Sequence, residues 1–268
     1  MANLEGKAVL VTGGGTGIGR ACAERLAADG AAVTICGRTV DRLRAAAESI
    51  PGSVRWVRAD VTVSDDVAAA VVAAAEPTGH LDGLVANAGG AGQFGPYHRQ
   101  DPDGYVEVLR LNVLSTMLCV KHAVPLLVAA GGGSFVGMSS IAGHVTHPNF
   151  GAYPVAKAAI EAMMRNAADE YGAAGVRFNA VQPGFTTTEI MEAIPRESDV
   201  YDSYIRNTPM GGVATPEDVA GVVAFLLGSD SRWITGQMLA IDGGHHLRAG
   251  PDFSPFLGLS RDQLLARE

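Results

Sequence analysis

Short runs rich in Val, Ile and Leu alternate with longer Ala-rich segments along almost the whole chain. That alternation limits the architecture, because parallel strands buried on both faces read as continuous apolar runs and need helical crossovers between them. Strands are predicted at Ala8–Thr12, Ala32–Cys36, Val54–Arg58, Gly83–Ala86, Gly133–Met138, Arg177–Val181 and Met238–Ile241. Helices are predicted at Gly17–Asp29, Val40–Ser49, Ser64–Ala75, Asp103–Ala130, Asn149–Ala173 and Pro216–Gly228. Ser64-Asp65-Asp66 and Thr215-Pro216-Glu217-Asp218 carry the capping oxygens, acids and first-turn proline of helix starts. The expected fold is a single α/β domain, doubly wound, with a seven-stranded parallel sheet and helices on both faces. No linker or internal repeat divides the 268 residues, and with 47% of them hydrophobic there is material for a large core.

Two stretches break the alternation. Residues 189–212, with several Met, Pro and Tyr, read as a lid or substrate loop. The C-terminal extension 248–268 carries Phe253, Phe256, Leu257 and Leu259 and is expected to pack on its own or a neighbouring subunit.

Charge and cysteine usage exclude several classes. A net charge of −8 without a long basic run argues against nucleic acid as a partner. Cys22, Cys36 and Cys119 are odd in number, widely separated and without a C-x-x-C pair, which fits a reducing compartment better than a disulfide framework. The first residues lack the basic and apolar regions of a signal peptide, and Val67–Ala75 falls short of the ~18 apolar residues of a membrane span. A cytoplasmic protein with no membrane partner is expected.

Thr12-Gly13-Gly14-Gly15-Thr16-Gly17-Ile18-Gly19 lies directly between the first strand and first helix. Glycines there let the backbone approach a pyrophosphate, whose charge is stabilised by N–H groups at the helix start. The spacing does not match a nucleotide-triphosphatase loop, since Arg20-Ala21 stand where Lys and Ser/Thr are needed, and it does not match G-x-G-x-x-G either. It matches T-G-x-x-x-G-x-G, through Gly13, Gly17 and Gly19.

Further along, Ser139-Ser140 follow the fifth strand, and Tyr153 precedes Lys157 by four residues in a helical segment. That spacing sets both on one helix face, close enough for the ammonium to influence the phenol. A phenol titrating near 10 needs such a cation to act as a base near neutrality. Singly, Ser140 reads as a turn residue, Tyr153 as packing, Lys157 as a solvated charge and Asn112 as a polar helix residue.

Jointly, these motifs resemble those of the short-chain dehydrogenase/reductase family, whose Rossmann fold binds NAD(P)(H). The resemblance implies that Tyr153 gives or takes a proton at the carbinol oxygen and that Ser140, thirteen positions earlier, hydrogen-bonds that oxygen. It assigns Lys157 to tuning the phenol and holding a ribose, and Asn112 to a water-linked proton relay. It further implies cofactor contacts from Gly13, Gly15, Thr16, Gly17, Ile18 and Gly19, from Asp60-Val61 at the adenine, and from Asn87-Ala88-Gly89. Pro183-Gly184 with Thr186 and Thr188 resembles the element that holds the nicotinamide carboxamide, and Asp242-Gly243-Gly244 the closing turn. Residues 1–247 thus read as a dinucleotide-binding and catalytic domain. Pro154 after the tyrosine is tolerable only near a helix start. No metal is expected: His144 and His147 form an H-x-x-H pair without a third ligand.

The reaction implied is reversible hydride transfer between a nicotinamide and a carbonyl or secondary alcohol, on a small-molecule substrate of 3-oxoacyl or other ketone type. Alternatives are reduction of an enoyl thioester, or a nucleotide-binding protein without turnover. At the end of the second strand Gly37 stands where NAD-specific sites carry an acid, and Arg38 follows, able to clamp a phosphate. NADP(H) is therefore the preferred cofactor, with NAD(H) usable if Asp41 or another group accepts the ribose hydroxyls. The resemblance also implies a homotetramer built on the two long helices.

Overall fold

The five residues of β1 (Ala8–Thr12) are all buried, as a central parallel strand requires, and every neighbour in the sheet is parallel. The computed structural model describes residues 3–188 and 194–248. Its other strands are β2 (Ala32–Gly37), β3 (Val54–Arg58), β4 (Gly83–Ala86), β5 (Gly133–Met138), β6 (Val176–Pro183) and β7 (Met238–Ile241). Their order is β3-β2-β1-β4-β5-β6-β7. The order reverses between β1 and β4, which opens a crevice outside the carboxyl ends of the strands.

The helices are α1 (Gly17–Ala28), α2 (Val40–Ser49), α3 (Ser64–Ala75), α4 (Pro102–Leu109), α5 (Ser115–Ala129), α6 (Tyr153–Tyr171), α7 (Asp199–Asn207) and α8 (Pro216–Leu227). One core cluster joins sheet residues such as Phe135 and Phe178 to α3, α5 and α6; the other joins Val9, Val33 and Val136 to α1, α2 and α8. Phe135 and Phe178 face each other in the β5–β6 register with ring centroids 5.1 Å apart, and truncating either to Ala would cost about 3–5 kcal/mol.

Several expected boundaries shift for local reasons. The helix predicted at Asp103–Ala130 starts at Pro102, where the Asp101 carboxylate caps Gly104 N at 2.8 Å, and passes through a π-helical turn at Arg110–Leu114 before α5. This stretch, Pro102–Ala129, has the length and a mean hydropathy of 1.6 that would suit a membrane span. Here Leu118, Cys119, Ala123, Val124 and Leu127 bury it in the first core cluster. The helix predicted from Asn149 begins only at Tyr153, because Asn149 and Gly151 take left-handed φ values of 66° and 60° and Pro154 needs the first turn. Ser64 does not cap α3; its Oγ pairs with His122 Nε2 at 2.9 Å, and Val63 precedes the helix without a side-chain cap. At α8, Thr215 N and Oγ1 donate to the Asp218 carboxylate at 2.7 and 3.1 Å, as the Thr-Pro-Glu-Asp sequence predicts. Of the lid expected at 189–212, the part from 194 is described and contains α7, capped by Ser198. Residues 189–193 and the tail from 249, with its aromatic residues, lie outside the described residues.

Candidate active site

The loop after β1 is held in shape before any ligand is considered. Gly13 N donates to Cys36 O at 2.8 Å, and Gly13 and Gly17 take φ values of 67° and 52° that disfavour other residues. At Gly19 an added Cβ would collide with Gly13 O and lie 2.5 Å from Asn87 Nδ2. Asn87 ties the neighbouring strand ends together: its Nδ2 donates to Thr12 O and Gly13 O at 2.9 and 3.3 Å, while Asn87 N and Ala88 N donate to Thr12 Oγ1. The N terminus of α1 has no side-chain cap, so its first N–H groups are free for an anion.

A cleft of about 460 Å³ runs from this loop across the switch point. Its wall includes Gly13, Gly15, Thr16, Gly17, Ile18 and Gly19, then Arg38, Val61 and Asn87-Ala88-Gly89. At the other end it includes Ser140, Tyr153, Lys157, Pro183, Gly184, Thr186 and Thr188. Two expected contacts are set back from the wall. The Asp60 carboxylate accepts from Thr62 N and Thr62 Oγ1 at 3.0 and 2.7 Å, which holds its pKa below the ordinary value. Asn112 is fully buried in the π-helical turn, where its Nδ2 donates to Gly90 O and Val108 O at 2.9 and 2.8 Å. Gly89 leaves it room, since a Cβ there would stand 2.5 Å from Asn112 Oδ1.

Lys157 is 3% exposed, and burial lowers its pKa to about 8. Its Nζ donates to Met138 O at 2.8 Å and lies 5.2 Å from the centroid of the Tyr153 ring. An ammonium has three donors, so two remain for a ligand in the cleft. Desolvation is the largest influence on the Tyr153 phenol and pushes it up to about 12; a hydrogen bond with Ser140 draws it partly back, and the nearby Tyr204 adds to the rise. Ser140 Oγ accepts from Ala142 N at 3.2 Å and donates weakly to Pro183 O at 3.5 Å.

Sequence reasoning placed Tyr204 only within a lid segment and did not single out Phe150, Phe185 or Arg42 as part of this wall. Phe150 stands edge-on to Tyr153 with centroids 5.2 Å apart, His147 stacks on Phe150 at 5.5 Å, and Tyr204 of α7 stacks on Phe185 at 4.6 Å. Arg42 joins Arg38 at the opposite end. Its spacing of four from Arg38 was a usable signal; the approach of Tyr204 was not, since it depends on how α7 folds over the cleft.

A glycine loop that brings its backbone close, an uncapped helix start and a buried lysine beside a tyrosine and a serine on one cleft wall fit a dinucleotide cofactor. A family model described as Enoyl-(Acyl carrier protein) reductase matches residues 13–246. The chain is 39% identical to cis-4-hydroxycyclohexanecarboxylate dehydrogenase of Sinomonas cyclohexanicum over 89% of its own length and 96% of that protein. It is 37% identical to 2-(S)-hydroxypropyl-CoM dehydrogenase 3 of Xanthobacter autotrophicus, over 90% and 97%. Among solved structures, a short-chain type dehydrogenase/reductase from Mycobacterium ulcerans superposes with a TM-score of 0.90 at 40% identity, covering 99% of this chain and 100% of that one. The protein belongs to the short-chain dehydrogenase/reductase family and is an NAD(P)(H)-dependent oxidoreductase acting on the CH–OH group of a small-molecule substrate.

Proposed function

We propose that the protein interconverts a cyclic secondary alcohol and its ketone, with NADP(H) as preferred cofactor. The observation that carries this reading is the common wall shared by the glycine loop, Ser140, Tyr153 and Lys157. The rings of Phe150, Tyr204 and His147 beside Tyr153 supply flat apolar surface for a ring substrate. The hydroxycyclohexane named in the Sinomonas relative fits that wall. Reduction of an enoyl thioester is the less favoured reading, because the serine and tyrosine suit a carbonyl oxygen.

When bound, the nicotinamide supplies or takes up the hydride. Tyr153 donates its phenolic proton to the carbonyl oxygen in reduction and accepts it back in oxidation. The Ser140 hydroxyl hydrogen-bonds the same oxygen. Lys157 holds the phenolate charge and directs its unused donors to ribose hydroxyls. Asn112, locked into the π-helical turn, serves the water-linked end of the proton relay.

The preference for NADP(H) rests on Gly37, Arg38 and Arg42. Among the described residues no Asp or Glu lines the cleft, and Asp41 pairs with Arg44 at 3.8 Å on the surface. Two guanidinium groups at the adenosine end favour a 2′-phosphate. Steady-state comparison of the two cofactors tests this: wild type should favour NADP(H), and Gly37→Asp and Arg38→Leu should each weaken the preference. A wild type about tenfold more efficient with NAD(H) would defeat the phosphate reading.

We extend the same reading to assembly and location. Val106, Met117, Val128 and Val155 are exposed apolar residues on α4, α5 and α6, which favours burial of these helices in a homotetramer. The three cysteines are free and buried, which suits a reducing cytoplasm.

A further inference from the structure

Glu161 lies one helical turn beyond Lys157 on α6, and it is only 6% exposed. A carboxylate is costly to bury unless donors meet it, and here they come from the ends of two different strands. Its Oε1 accepts from Ser139 Oγ at 2.8 Å and from Gln182 Nε2 at 2.7 Å. Gly143 makes the space, since a Cβ there would stand 2.5 Å from Oε1. His144 Nδ1 lies 4.0 Å from the same oxygen and 3.0 Å from Gln182 Nε2.

The donor pattern follows from the carboxylate. Gln182 must turn its amide nitrogen toward Glu161, because the opposite rotamer would set oxygen against oxygen. The same nitrogen also lies 3.0 Å from His144 Nδ1. Glu161 thereby orders a small polar network rather than one contact.

Each partner adjoins the cleft. Ser139 directly precedes Ser140. Gln182 directly precedes Pro183, whose carbonyl is the weak acceptor of Ser140 Oγ at 3.5 Å. His144 follows the short helical turn Ile141–Gly143, in which Ala142 N donates to Ser140 Oγ and holds the serine side chain from the other side. An apolar residue at this position would leave the buried Ser139 and Gln182 donors without this acceptor.

We propose that Glu161 is a positioning residue for the Ser140 hydroxyl, acting through Ser139 and Gln182. This rests on the reading of Ser140 as partner of the reacting oxygen. The test measures ketone reduction by wild type and by Glu161→Ala, Glu161→Gln, Ser139→Ala, Ser140→Ala and the Ser140→Ala/Glu161→Ala double variant. The substrate is the fastest of cyclohexanone, a keto-cyclohexanecarboxylate and a β-keto thioester, and thermal midpoint and cofactor affinity are recorded for each protein. Glu161→Ala should lower kcat by about tenfold with cofactor affinity unchanged, whereas Glu161→Gln recovers most of it because an amide oxygen still accepts both bonds. In the Ser140→Ala background the same change should alter kcat by less than about twofold, since its route of action is gone. If Glu161→Ala does not fold, the smaller Ser139→Ala, alone and with Ser140→Ala, should show the same loss of additivity. An equal loss in both backgrounds, or a folded Glu161→Ala with native kcat, would overturn the proposal. A Ser140→Ala variant with native kcat would instead remove the role of Ser140, and this proposal with it.

Discussion

Burial moves Tyr153 and Lys157 in opposite directions, toward the neutral form of each. The lysine carries a consequence for stability. Its pKa falls from 10.5 to about 8 on folding, so between those values the unfolded chain holds a proton that the folded one has released. Stability should therefore rise as pH climbs through that window, and the cost of burying the ammonium is fully present below it. Thermal melts across this range should show wild type gaining on Lys157→Met as pH increases; a constant difference between the two would contradict the burial argument. The same variant should lose turnover and bind cofactor more weakly, because the side chain serves both phenol and ribose. At this scale the sequence was most legible where a family motif groups residues: Ser140, Tyr153 and Lys157, which the resemblance associates, line one cleft. It was least legible in the burial of the phenol, which depends on how much wall surrounds it.

Among elements, the loop from Thr12 to Gly19 leaves no space for a side chain at Gly19, because a Cβ there would collide with Gly13 O and Asn87 Nδ2. Gly19→Ala should push the loop away from Asn87 and raise the cofactor dissociation constant by roughly tenfold or more, which fluorescence quenching would measure. Native affinity in that variant would show that the close approach is not needed. Strand positions were readable because apolar runs and parallel pairing agree, and β1, β3, β4, β5 and β7 have the predicted limits. Helix ends were harder. The start of α6 depends on left-handed turns at Asn149 and Gly151, and the π-helical turn at Arg110–Leu114 leaves no mark in hydrophobic period, although it is what inserts Asn112 between Gly90 and Val108. Phe150 and Tyr204 join the wall only through the tertiary fold.

For the molecule as a whole, the exposed apolar residues on α4, α5 and α6 predict an assembly. Light scattering at micromolar concentration should report a tetramer of the 27.6 kDa chain, and a species of monomer mass alone would reject the proposed association. The central claim is that this fold brings a nicotinamide and Tyr153 to one carbonyl. It is tested most directly by following the near-ultraviolet absorbance of the reduced nicotinamide while wild type and Tyr153→Phe act on cyclic and β-keto substrates. Wild type should oxidise the cofactor with at least one ketone, and the phenylalanine variant, which keeps the ring and loses the proton, should bind cofactor normally yet turn over about a hundredfold more slowly. Near-equal rates for the two proteins would contradict the account.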